Sequence, residues 1–215
     1  MSIFDRFHYI VIEGPIGSGK TTLAKKLADM FPVNLLLENA GANPFLPKFY
    51  QDAPRYALPT QMFFLFQRVE LIRDLCQRDM FNQATIADFF LEKDPLFAQL
   101  NLNDEEYALY RQMYKHLHVQ VPTPDLVIYL QSPVETLHER VNQRGTSYEQ
   151  EIPREYLSRL SDAYSNFFHQ YDGAPVLIVN NEKLDITEND AAMTMLLDRV
   201  MQMRGRREFF NPNLE

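Results

Sequence analysis

Gly14, Gly17, Gly19, Lys20 and Thr21 fall in the spacing GxxxxGKT, and each residue type has a use at its place. Glycines so spaced let backbone amides turn inward on phosphate oxygens, the lysine reaches the β and γ phosphates, and the following hydroxyl can ligate Mg²⁺. The run Gly14-Pro15-Ile16-Gly17-Ser18-Gly19-Lys20-Thr21-Thr22 therefore reads as a P-loop that holds the phosphates of ATP or another nucleoside triphosphate. Its context agrees: β-branched Ile10-Val11-Ile12 precede it and a helical run from Leu23 to Ala28 follows. Phosphate then meets a helix N-terminus, whose dipole favours anions.

A P-loop names no acceptor, so the carboxylates and cations elsewhere matter. Glu38 follows Leu35-Leu36-Leu37 at the end of a strand-like run, where it can take a proton from a hydroxyl attacking the γ-phosphate. A solvated loop carboxylate fits the same pattern. Asp88 ends Ala84-Thr85-Ile86-Ala87 and suits a Walker-B-like acid that holds Mg²⁺ directly or through water, although strand-ending turn aspartates are common. Arg140 and Arg144 share a helical face before Gly145. There they can close over a transferring phosphate and exclude water, or simply pair with Glu135 and Glu139 on a solvated face. Gln61 and Arg68, seven residues apart on one helix, can both face a pocket, but taken alone read as surface decoration. The five histidines form no metal-site pattern.

The elements that must carry these residues alternate short apolar runs with helical stretches, which predicts an α/β fold of three layers around a parallel sheet. Five strands are expected, at His8 to Glu13, Val33 to Leu37, Ala84 to Asp88, Leu126 to Leu130 and Pro175 to Val179. Leu58, Met62, Leu65, Val69, Ile72 and Cys76 form one apolar helical stripe. Phe63, Phe64 and Phe66 make another face of that helix more apolar than solvent requires, and a second subunit is one way to cover them. Asp104 is the expected N-cap of the helix through Leu117, and Pro133 and Pro153 mark helix starts. The tail from about 204 to 215 lacks apolar periodicity and is expected to be loosely ordered.

A chain of 215 residues with 46% hydrophobic and 23% charged residues fits a single globular domain over 1–215. Its formal net charge of −8 disfavours a nucleic-acid polymer or an anionic membrane as partner. No apolar stretch reaches the length of a membrane span. The lone Cys76 offers neither a disulfide framework nor a zinc cluster, so it reads as a small buried residue in a reducing cytoplasm.

With these residues in view, the sequence from Tyr9 to about Asn181 resembles the deoxynucleoside kinase family, bacterial deoxyadenosine/deoxyguanosine kinases in particular. The resemblance rests on Glu13-Gly-Pro-Ile-Gly-Ser-Gly-Lys20, on Glu38 with Asn43-Pro-Phe-Leu-Pro-Lys-Phe-Tyr50, on Gln61 with Phe64-Leu-Phe-Gln-Arg68, and on Arg144-Gly-Thr-Ser-Tyr-Glu149 with Tyr156-Leu157. It implies a P-loop kinase fold and Mg²⁺-dependent transfer of phosphate from ATP to the 5′-hydroxyl of a deoxynucleoside, with a purine preference. It further implies Glu38 as the base for that hydroxyl, Gln61 as the partner of the nucleobase, and Tyr50 with Glu149 as a clamp on the 3′-hydroxyl. Arg68 and Phe97 would line the base pocket, Arg140 and Arg144 would belong to a lid over about 140–152, Asn180 and Asn181 would lie near the adenine of ATP, and a homodimer would form through the long helix.

Two departures stand out. Many members carry Asp-Arg-Ser or Glu-Arg-Ser where this chain has Asp88-Phe89-Phe90, so an arginine is missing, for which a lid residue or Lys93 can compensate. Many also have Arg-Gly-Arg in the lid, against Arg144-Gly145-Thr146 here. The nearest rival is a nucleoside-monophosphate kinase such as thymidylate kinase, but a carboxylate at Glu38 repels the phosphate its acceptor would bring. A GTPase-type switch lacks support, since neither NKxD nor DxxG occurs. A catalytically silent ATP-binding protein would keep Lys20 without needing Glu38.

Overall fold

A computed structural model describes residues 2–77, 83–117, 120–146, 148–149, 152–182 and 189–212. The strands are β1 (Tyr9–Glu13), β2 (Asn34–Leu36), β3 (Thr85–Ala87), β4 (Leu126–Gln131), β5 (Val176–Asn180) and β6 (Arg207–Phe210). They form one sheet in the order β2-β3-β1-β4-β5-β6, and every neighbouring pair is parallel. The helices are α1 (Lys20–Met30), α2 (Leu46–Gln51), α3 (Ala53–Gln77), α4 (Asp94–Asn101), α5 (Asp104–His116), α6 (Val134–Arg144), α7 (Arg154–Gln170) and α8 (Asp190–Gln202).

Parallel strands are covered on both faces, so they read as continuous apolar runs, and all five residues of β1 are buried. Its side chains nevertheless divide by the strand period of two. Ile10 and Ile12 pack with Leu23 and Leu27 of α1 and Leu196 and Val200 of α8. Tyr9 and Val11 pack on the other side with Leu65, Val69 and Ile72 of α3 and Tyr164 and Phe168 of α7. These are the expected three layers. The order β2-β3-β1 puts the carboxyl ends of three neighbouring strands beside one another, which is where open α/β sheets bind ligands.

Four expectations need correction. The sheet has six strands, because the tail supplies β6, whose Arg207 to Phe210 pair with Val176 to Val179. That pairing uses backbone, and the turn before it is held by Glu208, whose Oε1 accepts the amides of Arg204 at 2.7 Å and Gly205 at 2.6 Å. An edge strand held in this way needs no apolar alternation. Residues 213–215 of the tail lie outside the described residues. Second, Cys76 is exposed; from Ile72 the helix turns by three residues to Leu75, which is buried, and the stripe moves with it. Third, the cap of α5 is Asn103, whose side chain accepts from the Glu106 amide while the Glu106 side chain accepts in return from the Asn103 amide, a capping box. Fourth, Gln61 and Arg68 are buried, at 4% and 3% exposed, not surface decoration.

Candidate active site

Strand β1 delivers the chain into the P-loop at close quarters. A Cβ on Gly14 would lie 2.4 Å from the Ser18 hydroxyl and 2.7 Å from the Leu130 carbonyl, and Gly17 has φ +84° with the Leu137 carbonyl 2.6 Å from where its Cβ would be. Only glycine fits either place. Lys20 opens α1 and its Nζ donates to the Pro15 carbonyl at 3.5 Å, so the ammonium curls back over the loop. Burial and the nearby positive charge of Lys93 hold the Lys20 ammonium below the usual lysine value. From behind, Asn181 Nδ2 donates to the Ser18 carbonyl at 2.6 Å, and Arg140 donates to the Asn181 carbonyl at 2.8 Å and to the Ser132 hydroxyl at 3.4 Å. Arg140 and Asn181 thus brace the loop. Asn180 is exposed and its Oδ1 accepts the Glu182 amide at 3.1 Å. Thr22 is exposed on α1.

At the mouth of the loop the Thr21 hydroxyl donates to Asp88 Oδ2 at 2.5 Å, and Asp88 Oδ1 accepts the Glu38 amide at 2.8 Å. One carboxylate therefore ties the start of α1 to the ends of β2 and β3. A hydroxyl and a carboxylate in contact are the hard oxygen ligands that Mg²⁺ takes. The residues fit the ion.

Opposite stands a second cluster. Arg68 Nε donates to Glu38 Oε1 at 2.6 Å and its other arm is paired with Asp94. Asp94 is fully buried and also accepts Gln61 Nε2 at 2.9 Å and the Tyr110 hydroxyl at 2.5 Å. Burial pushes the Glu38 carboxyl up, but Arg68, Lys93 and Lys20 together outweigh it and hold the group below the ordinary carboxylate value. Glu38 is an anion at neutral pH. Arg68 is raised above its usual value, because the two carboxylates outweigh its own burial. With both Nε2 contacts of Gln61 going to the Asp94 side chain and carbonyl, the amide can offer an incoming ring only its oxygen.

The cavity between these clusters is lined by Gly17, Lys20, Thr21, Glu38, Tyr50, Gln61, Arg68, Asp88, Phe97, Arg144 and Glu149, among others. Phe97 forms a wall, with Arg68 5.9 Å and Lys93 5.4 Å from its ring centre and Tyr164 edge-on at 5.9 Å. Tyr50 packs near Tyr156, with ring centres 6.4 Å apart; burial, Tyr156 and Glu149 raise its phenol well above the usual value, so it stays a neutral donor. Buried Glu149 accepts Arg144 NH1 at 3.1 Å. Residues 147, 150 and 151 of the expected lid lie outside the described residues. Arg140 and Asn181 are thus separated from the cavity lining, whereas Arg144 belongs to it.

Sequence reasoning missed Asp94, Tyr110 and Tyr164, and gave no role to the Glu13 side chain. Lys93 appeared only as a substitute cation. Lys93-Asp94-Pro95 carries no motif that sets it apart; the burial of Lys93 and Asp94, 2% and 0% exposed, is the signal that only the fold supplies.

Comparison with known proteins agrees with this geometry. The family model described as deoxynucleoside kinase matches residues 10–203. The chain is 31% identical over 200 residues to the deoxyguanosine kinase of Bacillus subtilis (strain 168), covering 91% of this chain and 97% of the relative. It is 28% identical over 205 residues to the deoxyadenosine kinase of Lactobacillus acidophilus, covering 89% and 94% respectively. Among solved structures, deoxyadenosine kinase from M. mycoides with the products dCMP and a flexible dCDP bound superposes with a TM-score of 0.79 at 25% identity, covering 91% of this chain and all of that one. The P-loop, the Glu38–Arg68 cluster facing it and a match over most of the length together show that the chain belongs to the deoxynucleoside kinase family.

Proposed function

We propose that this chain transfers the γ-phosphate of ATP to the 5′-hydroxyl of a deoxynucleoside, with purines preferred, releasing ADP and the deoxynucleoside monophosphate for nucleotide salvage. The observation that carries the reading is Glu38, held anionic by Arg68 in the same cavity as Lys20 and Thr21. Glu38 takes the 5′-hydroxyl proton as that oxygen bonds to the γ-phosphorus and the bond to the β-phosphate oxygen breaks. Gly14 to Thr22 hold the donor, with Asn180 and Asn181 near its adenine, Asn181 reaching the loop at Ser18. Thr21 and Asp88 would hold Mg²⁺, which would supply charge neutralisation to the phosphates.

On the acceptor side, the Gln61 oxygen takes a hydrogen bond from a donor on the base, such as an exocyclic amino group, with Arg68 and Phe97 lining that end. Tyr50 donates to the 3′-hydroxyl and Glu149 accepts from it, packing the sugar where a 2′-hydroxyl has no room. Arg144 acts as the lid cation, and Arg140 acts through its brace on the loop. The reading extends to a cytoplasmic enzyme, as a single unpaired thiol implies, and to a homodimer through α3, where Phe66 is 45% exposed.

Glu38→Gln tests the reading. It keeps the shape and ATP affinity while turnover falls about a hundredfold or more, the scale of a lost general base. Full turnover in that variant overturns the assignment of Glu38.

A further inference from the structure

Lys93 ends the short turn Leu91–Lys93 before α4 and is 2% exposed. Lysine is among the residues least often buried so completely, and when it is, a partner accounts for it. Here Nζ lies 2.6 Å from Glu13 Oε1 and donates to the Tyr164 hydroxyl at 2.9 Å. Tyr164 donates in turn to Glu13 Oε2 at 3.2 Å, and that oxygen also accepts the Gly14 amide at 3.0 Å. The ammonium is therefore tied to the first residue of the P-loop through a carboxylate.

That pair does more than fill the core. Lys93 lines the same cavity as Lys20, Glu38 and Arg68. An ammonium has three N–H donors; the Tyr164 hydroxyl takes one, Glu13 Oε1 pairs with the charge but outside hydrogen-bond geometry, and no other protein acceptor meets Nζ among the described residues. Two ammonium groups converging on one cavity repel each other: Lys93 helps to hold Lys20 below its usual value. Such an arrangement is stabilised by an anion between the two. The strand end itself supplies no cation, since Phe89 and Phe90 after Asp88 are buried at 0% and 2% exposed in the apolar core.

We propose that Lys93 is a catalytic residue of the phosphoryl transfer, donating a remaining N–H to an oxygen of the γ-phosphoryl group in flight, on the acceptor side opposite Lys20, with the charge of Glu13 aiming it. The proposal rests on the kinase reading above. Lys93→Met alone strands Glu13 as a buried unpaired charge, which is expected to impair folding. The double variant Glu13→Gln/Lys93→Met removes both charges together and preserves a neutral, hydrogen-bonding side chain beside Gly14.

The test compares wild type, the double variant and Lys93→Arg with ATP, Mg²⁺ and deoxyguanosine, reading melting temperature, ATP affinity and single-turnover rate. The double variant is expected to melt near wild type and bind ATP within about threefold, yet to transfer phosphate about a hundredfold or more slowly, as when one transition-state donor is lost. A double variant with wild-type rate overturns the proposal and leaves Lys93 as the partner of Glu13 only. Should the double variant not fold, Lys93→Arg decides: it keeps the charge but not the placement of the ammonium, and is expected to bind ADP with deoxyguanosine and aluminium fluoride, which mimics the transferring group, at least about tenfold more weakly. Equal affinity overturns the proposal. A wild type that turns over no deoxynucleoside overturns the kinase reading itself, and this inference with it.

Discussion

Arg68 donates its Nε to Glu38 across 2.6 Å while its other arm is paired with Asp94, so one buried guanidinium spans from the carboxylate proposed as the base for the 5′-hydroxyl to the carboxylate that holds Gln61. A planar fork makes such a span with little freedom to drift. With Glu38 and Gln61 in their proposed roles, the placement of the reacting oxygen and the reading of the base are linked through this one side chain.

Removing that link exposes the opposition that sets Glu38. Burial raises its carboxyl and Arg68 is the foremost of the groups that lower it, so in Arg68→Met the pKa moves upward. The acid limb of the kcat/KM profile then shifts to higher pH, because the anion is lost sooner as pH falls. A profile between about pH 5 and 8 checks this, with kcat/KM at neutrality down about ten- to a hundredfold. An unmoved limb argues against Glu38 as the titrating group.

Lys20 titrates in the other sense. Its ammonium is held low by burial and Lys93, and the phosphates of ATP raise it again, so ATP binding at alkaline pH takes up protons. Calorimetry in buffers of different ionisation enthalpy at about pH 9 measures that uptake. In Lys20→Arg it disappears, since a guanidinium stays charged throughout the range.

Tyr110 reaches Asp94 from α5 at 2.5 Å and is fully buried. Tyr110→Phe removes one hydrogen bond to a charged group and costs about 1.5–3 kcal/mol in denaturant unfolding. It also loosens the carboxylate that orients Gln61, so KM for the deoxynucleoside rises while ATP affinity holds.

Arg144 separates stability from activity. Its pair with Glu149 is made by a side chain 48% exposed, and exposed pairs contribute about 0–1 kcal/mol. Arg144→Ala should melt near wild type yet lose about tenfold or more in kcat, measured with saturating ATP, if Arg144 is the lid cation proposed above.

Much of this site was legible from chain order alone. Glu38 and Asp88 follow strand-like runs, and in a parallel sheet the carboxyl ends converge on the P-loop whatever the connecting lengths. Gln61 and Arg68 lie on one helical face, and period fixes that they point together. What they point at was not legible: the partner of both is Asp94, which depends on how the start of α4 docks against α3, a matter of packing and not of spacing. The pairing of Glu13 with Lys93 is hidden for the same reason. Strand β6 leaves no apolar pattern because its register is held by backbone and by Glu208, and Cys76 fits the apolar stripe because a step of four from Ile72 has the helical period as well as the step of three to Leu75.

A neutral deoxynucleoside, not a nucleotide, is the proposed acceptor of the phosphate. The four deoxynucleosides and their four monophosphates, each offered with ATP and Mg²⁺ to the purified protein and scored for product, test it most directly. The account predicts 5′-monophosphate from deoxynucleosides, fastest with the purines, and no diphosphate from the monophosphates. Turnover of monophosphates alone would contradict it.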